Sequence, residues 1–162
     1  MTSHFCSLIR EPIGRGFDAF KDGMLTAFKI GIGYNNTNAT ANKDPSFIVP
    51  SLLKVSRGPL AGALDPKVEW KDDEHVLFTW IKNMGQGNAK VRDQVMVLLF
   101  NIEDEAAFFI LEGASRNQEE QDLKVDFANN HRGKLHAYIS FHRYNDRKEI
   151  YECSDSQYLG VV

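Results

Sequence analysis

Three histidines, His131, His136 and His142, fall within twelve residues, with Asp146 close behind. Imidazole nitrogens and carboxylates are donors that zinc takes three or four at a time. If "KLHAYISFH" is a strand, His136 and His142 share a face but stand roughly 20 Å apart, too far to hold one ion. His131 lies before the strand and reaches His136 only through a bend. The three are therefore expected to face solvent on an outer sheet surface, with no metal and no cofactor.

Acid–base chemistry finds no better footing. Carboxylates bunch in "DDE" at 72–74, "EDE" at 103–105 and "EEQD" at 119–122, and like charges bunched in connecting loops are usually solvated faces. A catalytic pair needs one carboxyl held away from water, and nothing in the spacing points to one. There is no Gly-x-Ser-x-Gly elbow and no P-loop, and "GQG" at 85–87 is too short for a dinucleotide fingerprint. Cys6 and Cys153 have no histidine beside them in sequence. They read as two free thiols, with a staple between the chain's ends as the alternative. No catalytic residue is assigned, although a hydrolase whose site assembles only in space stays as an alternative.

The 131–148 stretch mixes Lys134, Arg143, Arg147 and Lys148 with Tyr138, Tyr144 and Tyr151, the composition of a single-strand binder. The net charge of −3 over 162 residues and the acidic loops argue against nucleic acid. The longest apolar run, "VMVLLF", is far too short to span a bilayer. The start, "MTSHFCSLIR", lacks the charged and apolar regions of a signal peptide, so cytoplasmic synthesis without a leader is expected, with incorporation into a larger particle left open.

The elements that would position these residues are short. After residue 45, apolar runs such as "HVLFTWI", "QVMVLLFNI", "AAFFIL" and "KLHAYISFH" alternate with turn-rich or charged links. That spacing predicts a mainly all-β chain, an immunoglobulin or fibronectin type III-like antiparallel β-sandwich over residues 46–162. Residues 1–45 form an appendage, a helix-plus-strand or an extended arm. In "HVLFTWI", Val76, Phe78 and Trp80 share one face; in "KLHAYISFH", Leu135, Ala137, Ile139 and Phe141 do. "RYNDRK" predicts a hairpin turn centred on Asn145 and Asp146. "SLLKVS" predicts the first strand, ended at a hinge of Arg57, Gly58 and Pro59 because proline has no N–H to give a ladder. Arg57 is expected in a structural salt bridge or carbonyl contact.

The segments "LLKVSRGPLAGA", "VLFTW", "GQGNAKVRDQVMVLLFN", "ISFH" and the closing "YLG" resemble an uncharacterised domain family abundant in the Bacteroidota, over about residues 45 to 160. The resemblance implies no assigned activity and transfers no catalytic residue.

One feature of the pattern does carry information. A lone sandwich strand shows one apolar and one polar face, yet "QVMVLLFNI" points Val95, Val97 and Leu99 one way and Met96, Leu98, Phe100 and Ile102 the other. Phe108 and Ile110 likewise oppose Phe109 and Leu111. A bare apolar surface of this size needs a cover, which either residues 1–45 or another subunit supplies. Phe17, Phe20, Met24 and Phe28 fall at helical spacing, while in "FKIGIGY" Phe28, Ile30, Ile32 and Tyr34 alternate as in a strand seeking a sheet edge. These residues, with Met96, Leu98, Phe100, Phe108 and Phe109, form the candidate interaction surface. The expected function is a non-enzymatic structural or interaction module. Its partner would be itself or another protein subunit, in a homo-oligomer or a filament, virion or injection-particle assembly. A carbohydrate- or other ligand-binding module using Trp70, Tyr144 and Tyr158 is the alternative.

Overall fold

Alternation in the later part of the chain builds two antiparallel sheets. In the computed structural model, which describes residues 7–41 and 47–162, the first sheet has three strands. They are β1 (Leu64–Trp70), β2 (His75–Ile81) and β5 (Glu120–Lys124), in the order β1-β2-β5. The second contains β3 (Gln94–Asn101), β4 (Ala106–Ile110), β6 (His136–Asn145), β7 (Ile150–Cys153) and β8 (Gln157–Val161). Its order is β4-β3-β6-β7, with β8 alongside the first half of β6. The chain is a mostly β protein with a sandwich of two sheets. Pro66 sits in β1, an edge strand where a missing ladder donor is tolerated.

Between the sheets lie Val76, Phe78 and Trp80 from β2, Val95, Val97 and Leu99 from β3, and Ala137, Ile139 and Phe141 from β6. The Trp80 ring meets Phe141 edge-on at 5.4 Å, and its indole Nε1 donates to Arg116 O at 2.7 Å. The two-sided strands behave as their pattern predicts. Met96, Leu98 and Phe100 point away from this core into a second one, which they share with Tyr138 and the N-terminal part of the chain.

That second core answers what covers the sheet. Helix α1 (Arg10–Gly16), with Ile9 before it and Phe17 after it, lays Ile9, Ile13 and Phe17 one turn apart on a single face. All three are essentially without solvent contact, each contributing roughly 1.5–3 kcal/mol by burial. Leu53 and Val55, beyond residue 45, belong to the same cluster. The cover is supplied in cis.

The N-terminal expectations need correction in detail. Phe17, Phe20, Met24 and Phe28 do not lie on one helix: α1 stops at Gly16, a single 3-10 turn follows at Asp18–Phe20, and the next helix starts at Ala27. "FKIGIGY" is not a strand but part of α2 (Ala27–Asn38). Thr26 caps α2, its Oγ1 accepting from Lys29 N at 3.3 Å. The buried face of α2 is Ala27, Gly31 and Asn35, spaced by four. Small residues form the buried face, and the alternating large ones pack only partly buried beside it. A Cβ on Gly31 would stand 2.3 Å from Ile13 Cγ2, so glycine here lets two helices meet. Asn35 then fixes the helix to the chain beyond it, its Nδ2 donating to Lys54 O at 2.8 Å and its Oδ1 accepting from Lys54 N at 2.8 Å.

"SLLKVS" is likewise no strand, and residues 57–59 are no switch between sheets. The segment's first residues lie in a 3-10 turn (Pro50–Leu52), and the rest is a seam whose polar groups pair with the link between β7 and β8. Val55 N donates to Ser156 Oγ at 2.9 Å, Ser56 Oγ to Ser154 O at 2.8 Å, and Ser156 N to Ser56 O at 3.0 Å. The partners are side chains and isolated carbonyls rather than a ladder. A Cβ on Gly58 would come 2.1 Å from Cys153 O, so only glycine permits this approach. The β6–β7 hairpin forms where expected. Asn145 Oδ1 accepts from Arg147 N and Lys148 N at 3.1 and 3.2 Å, but the left-handed residue is Glu149 rather than Asn145 or Asp146.

Candidate interaction surface

The residues expected to form one surface divide between core and solvent. Phe17, Met96, Leu98 and Phe100 are buried in the second core. Phe28, Ile30, Ile32, Tyr34 and Phe109 pack partly buried against it, and Phe108 borders the core between the sheets. Phe20 and Met24 remain outside, at 40% and 91% exposure, joined by Leu25 at 48%, which the sequence pattern did not single out.

These three sit on the turn between α1 and α2, and the turn is held in shape. Asp22 Oδ1 accepts from Met24 N at 2.9 Å and from Leu25 N at 2.8 Å. Those backbone donors, Leu25 first, hold the Asp22 carboxyl below its ordinary pKa. Asp18 ties the base of the turn to the sheet, its Oδ2 accepting from Tyr151 N at 2.8 Å, while its Oδ1 holds Lys21 Nζ at 2.9 Å. Arg57 buttresses the same corner. Its guanidinium lies 4.3 Å over the Tyr34 ring and 5.4 Å from Phe20, and its backbone N donates to Gly16 O. Arg57 is therefore a stacking residue, and no ion pair involves it among the described residues. An aromatic face suits a guanidinium because its π charge attracts the cation.

The histidines correct another expectation: they do not face solvent. His142 is 1% exposed and donates from Nε2 to Leu111 O at 2.5 Å, while its Nδ1 is buried without a partner. Burial lowers its pKa, opposed by the Leu111 carbonyl. His131 is buried at the other end of the sheet, with Nδ1 3.0 Å from Asn101 Nδ2 and its ring 5.3 Å from Phe108. His136 is half-buried, its Nδ1 hydrogen-bonded with the Tyr158 hydroxyl at 2.9 Å. The face that alternation assigned to solvent is the one the N-terminal helices cover. Among the described residues, no three His, Cys, Asp or Glu side chains come together to hold a metal ion.

Other polar groups are similarly occupied. Cys153 is buried and unpaired, its Sγ 3.5 Å from Arg15 O, and burial pushes its thiol up to about 12; Cys6 lies outside the described residues. Of the aromatics considered for a ligand, Trp70 carries the Arg132 guanidinium on its ring at 4.0 Å and Tyr158 is bonded to His136. Tyr144 alone of the three is well exposed.

One buried cluster escaped sequence reasoning. Arg116, fully buried, makes four hydrogen bonds and an ion pair through its guanidinium. Nε donates to Asp93 Oδ2 at 3.1 Å, and Nη1 to Gly62 O and Asn83 Oδ1 at 2.9 and 2.8 Å. Nη2 donates to Ala61 O at 2.7 Å and lies 3.0 Å from Asp93 Oδ2. The guanidinium stacks 3.8 Å from the Phe141 ring. The cluster clips three loops together, those before β1, between β2 and β3, and between β4 and β5, and it lies out of a ligand's reach because Arg116 and Asp93 are fully buried. "GASRNQ" looks like any polar loop, and its partners lie 23 to 55 residues away.

The model of a protein family of unknown function, DUF6266, matches residues 1–160. The match takes in the N-terminal part, which the resemblance over residues 45 to 160 left aside. No curated protein and no solved structure matches the chain.

Proposed function

The chain belongs to DUF6266, and from that premise we propose that it is a non-enzymatic module whose work is association, as a subunit of a homo-oligomer or larger assembly. The observation that carries this reading is the shaped turn at Phe20, Met24 and Leu25. A methionine at 91% exposure on a turn where Asp22 already accepts the N–H groups of Met24 and Leu25 is presented, not merely left over. Methionine and its apolar neighbours adapt to partner surfaces.

The state of the reactive groups supports the same reading. The Cys153 thiol is buried and far from thiolate at neutral pH. His142 spends its one N–H on a backbone carbonyl, and Arg116 is fully buried. We further read the sandwich as immunoglobulin-like. Strands one, two and five share a sheet, and three, six and seven share the other with four beside three; this connection order supports that subtype.

Light scattering at micromolar concentration tests the proposal. The full chain is expected to run as a multimer and the Met24→Ser/Leu25→Ser variant closer to a monomer, with unchanged thermal unfolding. A full chain that is monomeric throughout overturns it.

A further inference from the structure

The two ends of the β3–β6 pair carry opposite surfaces. At one end, where Asn101 meets His131, an open corner is lined by Asp73, Glu74, Asp126 and Phe127. Glu103 and Asp104 of the β3–β4 turn lie at the same end, Asp104 bonded to Asn101 and both carboxylates paired with Lys134 at 3.3 and 3.6 Å. At the other end, where Gln94 pairs with His142, an open groove is lined by Lys90, Arg92, Arg143, Tyr144 and Arg147. Ten residues of β6 separate them, about 30 Å at the rise of a strand.

Phe127 makes the corner unusual. Its ring is 83% exposed, and its backbone is left-handed at φ 56 and ψ 40. The other non-glycine residues with positive φ among those described are Asp65, Glu105, Glu119 and Glu149, all acidic. A bulky aromatic in that region is strained, and such strain persists only where the surroundings impose it. The loop is fixed from both sides: Val125 N donates to Glu74 O at 2.8 Å, and Arg132 Nη2 to Asp72 O at 2.9 Å. An apolar ring is thus held outward on a rigid corner rimmed by three carboxylates: Asp73, 3.9 Å from Arg132, Asp126, 3.9 Å from Lys124, and Glu74, which has no ion pair among the described residues.

The groove is its complement. Lys90, Arg92 and Arg147 are exposed and make no ion pair among the described residues. Arg143 is engaged with Asp93, its Nε 3.0 Å from Oδ1. The groove's two carboxylates are Asp146 and Glu152, the second already paired with Lys148 at 3.1 Å. Tyr144, braced edge-on against Tyr151 at 5.0 Å, offers an aromatic face among these cations.

We propose that copies of this chain associate head to tail, the acidic Phe127 corner of one docking into the basic Tyr144 groove of the next. Complementary patches at opposite ends of one molecule make a heterologous contact, which repeats into a ring or filament rather than stopping at a two-fold dimer. The inference rests on the association reading above but uses a different surface, so the two can fail separately.

Two variants with unchanged thermal unfolding, Phe127→Ser and Lys90→Glu/Arg147→Glu, provide the test, read by sedimentation velocity at low and high salt. The wild-type chain is expected to form species larger than a dimer at low salt that shrink as salt screens the contact. Each variant alone is expected to lose them. Mixed one to one, the variants are expected to give a dimer and nothing larger, because one keeps an intact groove and the other an intact corner. Large species that persist in both variants, or a mixture with no dimer, overturn the proposal. If Met24→Ser/Leu25→Ser alone abolishes association while the charge variants leave it intact, this contact falls and the turn reading stands.

Discussion

The Arg116 guanidinium and the Asp93 carboxylate lie 3.0 Å apart, and neither side chain reaches solvent. A buried pair like this adds little net stability, yet removing Arg116 leaves the buried Asp93 carboxylate with only Arg143, 3.0 Å away, to offset its charge. Arg116→Met is expected to cost about 3–5 kcal/mol, the more so because Ala61 O, Gly62 O and Asn83 Oδ1 also lose their donor. Adding Asp93→Asn to Arg116→Met should recover only part of that loss, because the carboxylate it removes is also the partner of Arg143. Urea unfolding of the two single variants and the double variant measures the coupling. Strictly additive costs would show that the pair is not the unit described.

The sandwich was legible in the sequence because each strand's inward residues repeat with period two, as Val76, Phe78 and Trp80 do. The surplus on the outer faces of β3 and β4 was legible for the same reason, and it pointed correctly to a cover. What covers it was not. The apolar residues of α2 alternate in sequence, so a period-two pattern at Phe28, Ile30, Ile32 and Tyr34 competed with a helix whose contact face is made of Ala27, Gly31 and Asn35. Small residues that permit close approach carry no hydrophobic signal. His142 was misplaced because polar alternation on an outer face reads the same whether water or a helix lies above it. Arg116 was invisible because its partners, two backbone carbonyls and the side chains of Asn83 and Asp93, lie on loops distant in sequence.

Gly31 and Gly33 occupy the same helix two residues apart and should respond with opposite signs. A Cβ at Gly31 meets Ile13 Cγ2 at 2.3 Å and Phe17 Cδ2 at 2.9 Å, whereas one at Gly33 meets nothing within 4 Å. Gly31→Ala is expected to destabilise by about 1–3 kcal/mol through overpacking. Gly33→Ala should stabilise by about 1 kcal/mol through helix propensity. Thermal unfolding of both variants decides it. A shift of the same sign for both would mean that the two helices are not packed as described.

Burial depresses the pKa of His142, and of His136 more simply, by desolvation. A base whose folded pKa lies below its unfolded value imposes no penalty when both states are neutral. Stability is therefore retained above the unfolded value near 6.5 and lost as pH falls below it toward the folded value. In His142 the extra proton would land on Nδ1, which is buried without a partner. Asp72, lowered to about 2 by the backbone N–H of Glu74 and by His75, acts in a separate window, its stabilisation lost only below about pH 4. Urea midpoints between pH 7.5 and 5 should fall for the wild-type chain, at most about 1.4 kcal/mol per pH unit for each group. They should fall less for His142→Gln. An equal slope for the variant would move the effect to His136.

Removing residues 1–41 tests the cover itself. The deletion takes away Ile9, Ile13, Phe17, Ala27 and Ala39 from the second core and bares Met96, Leu98, Phe100 and Tyr138, each now no more than 2% exposed. Exposed apolar surface of that extent drives association or loss of fixed packing. The truncated chain is expected to bind an apolar dye, to aggregate at concentrations where the full chain stays in solution, and to lose its cooperative thermal transition. The sheet-to-sheet core built on Phe78, Val97 and Phe141 stays in the truncated sequence, so β circular dichroism should survive in part. A truncated chain that unfolds as cooperatively as the full one, without binding dye, would show that the outer face of β3 and β6 tolerates water, and the role assigned to the N-terminal helices would fall.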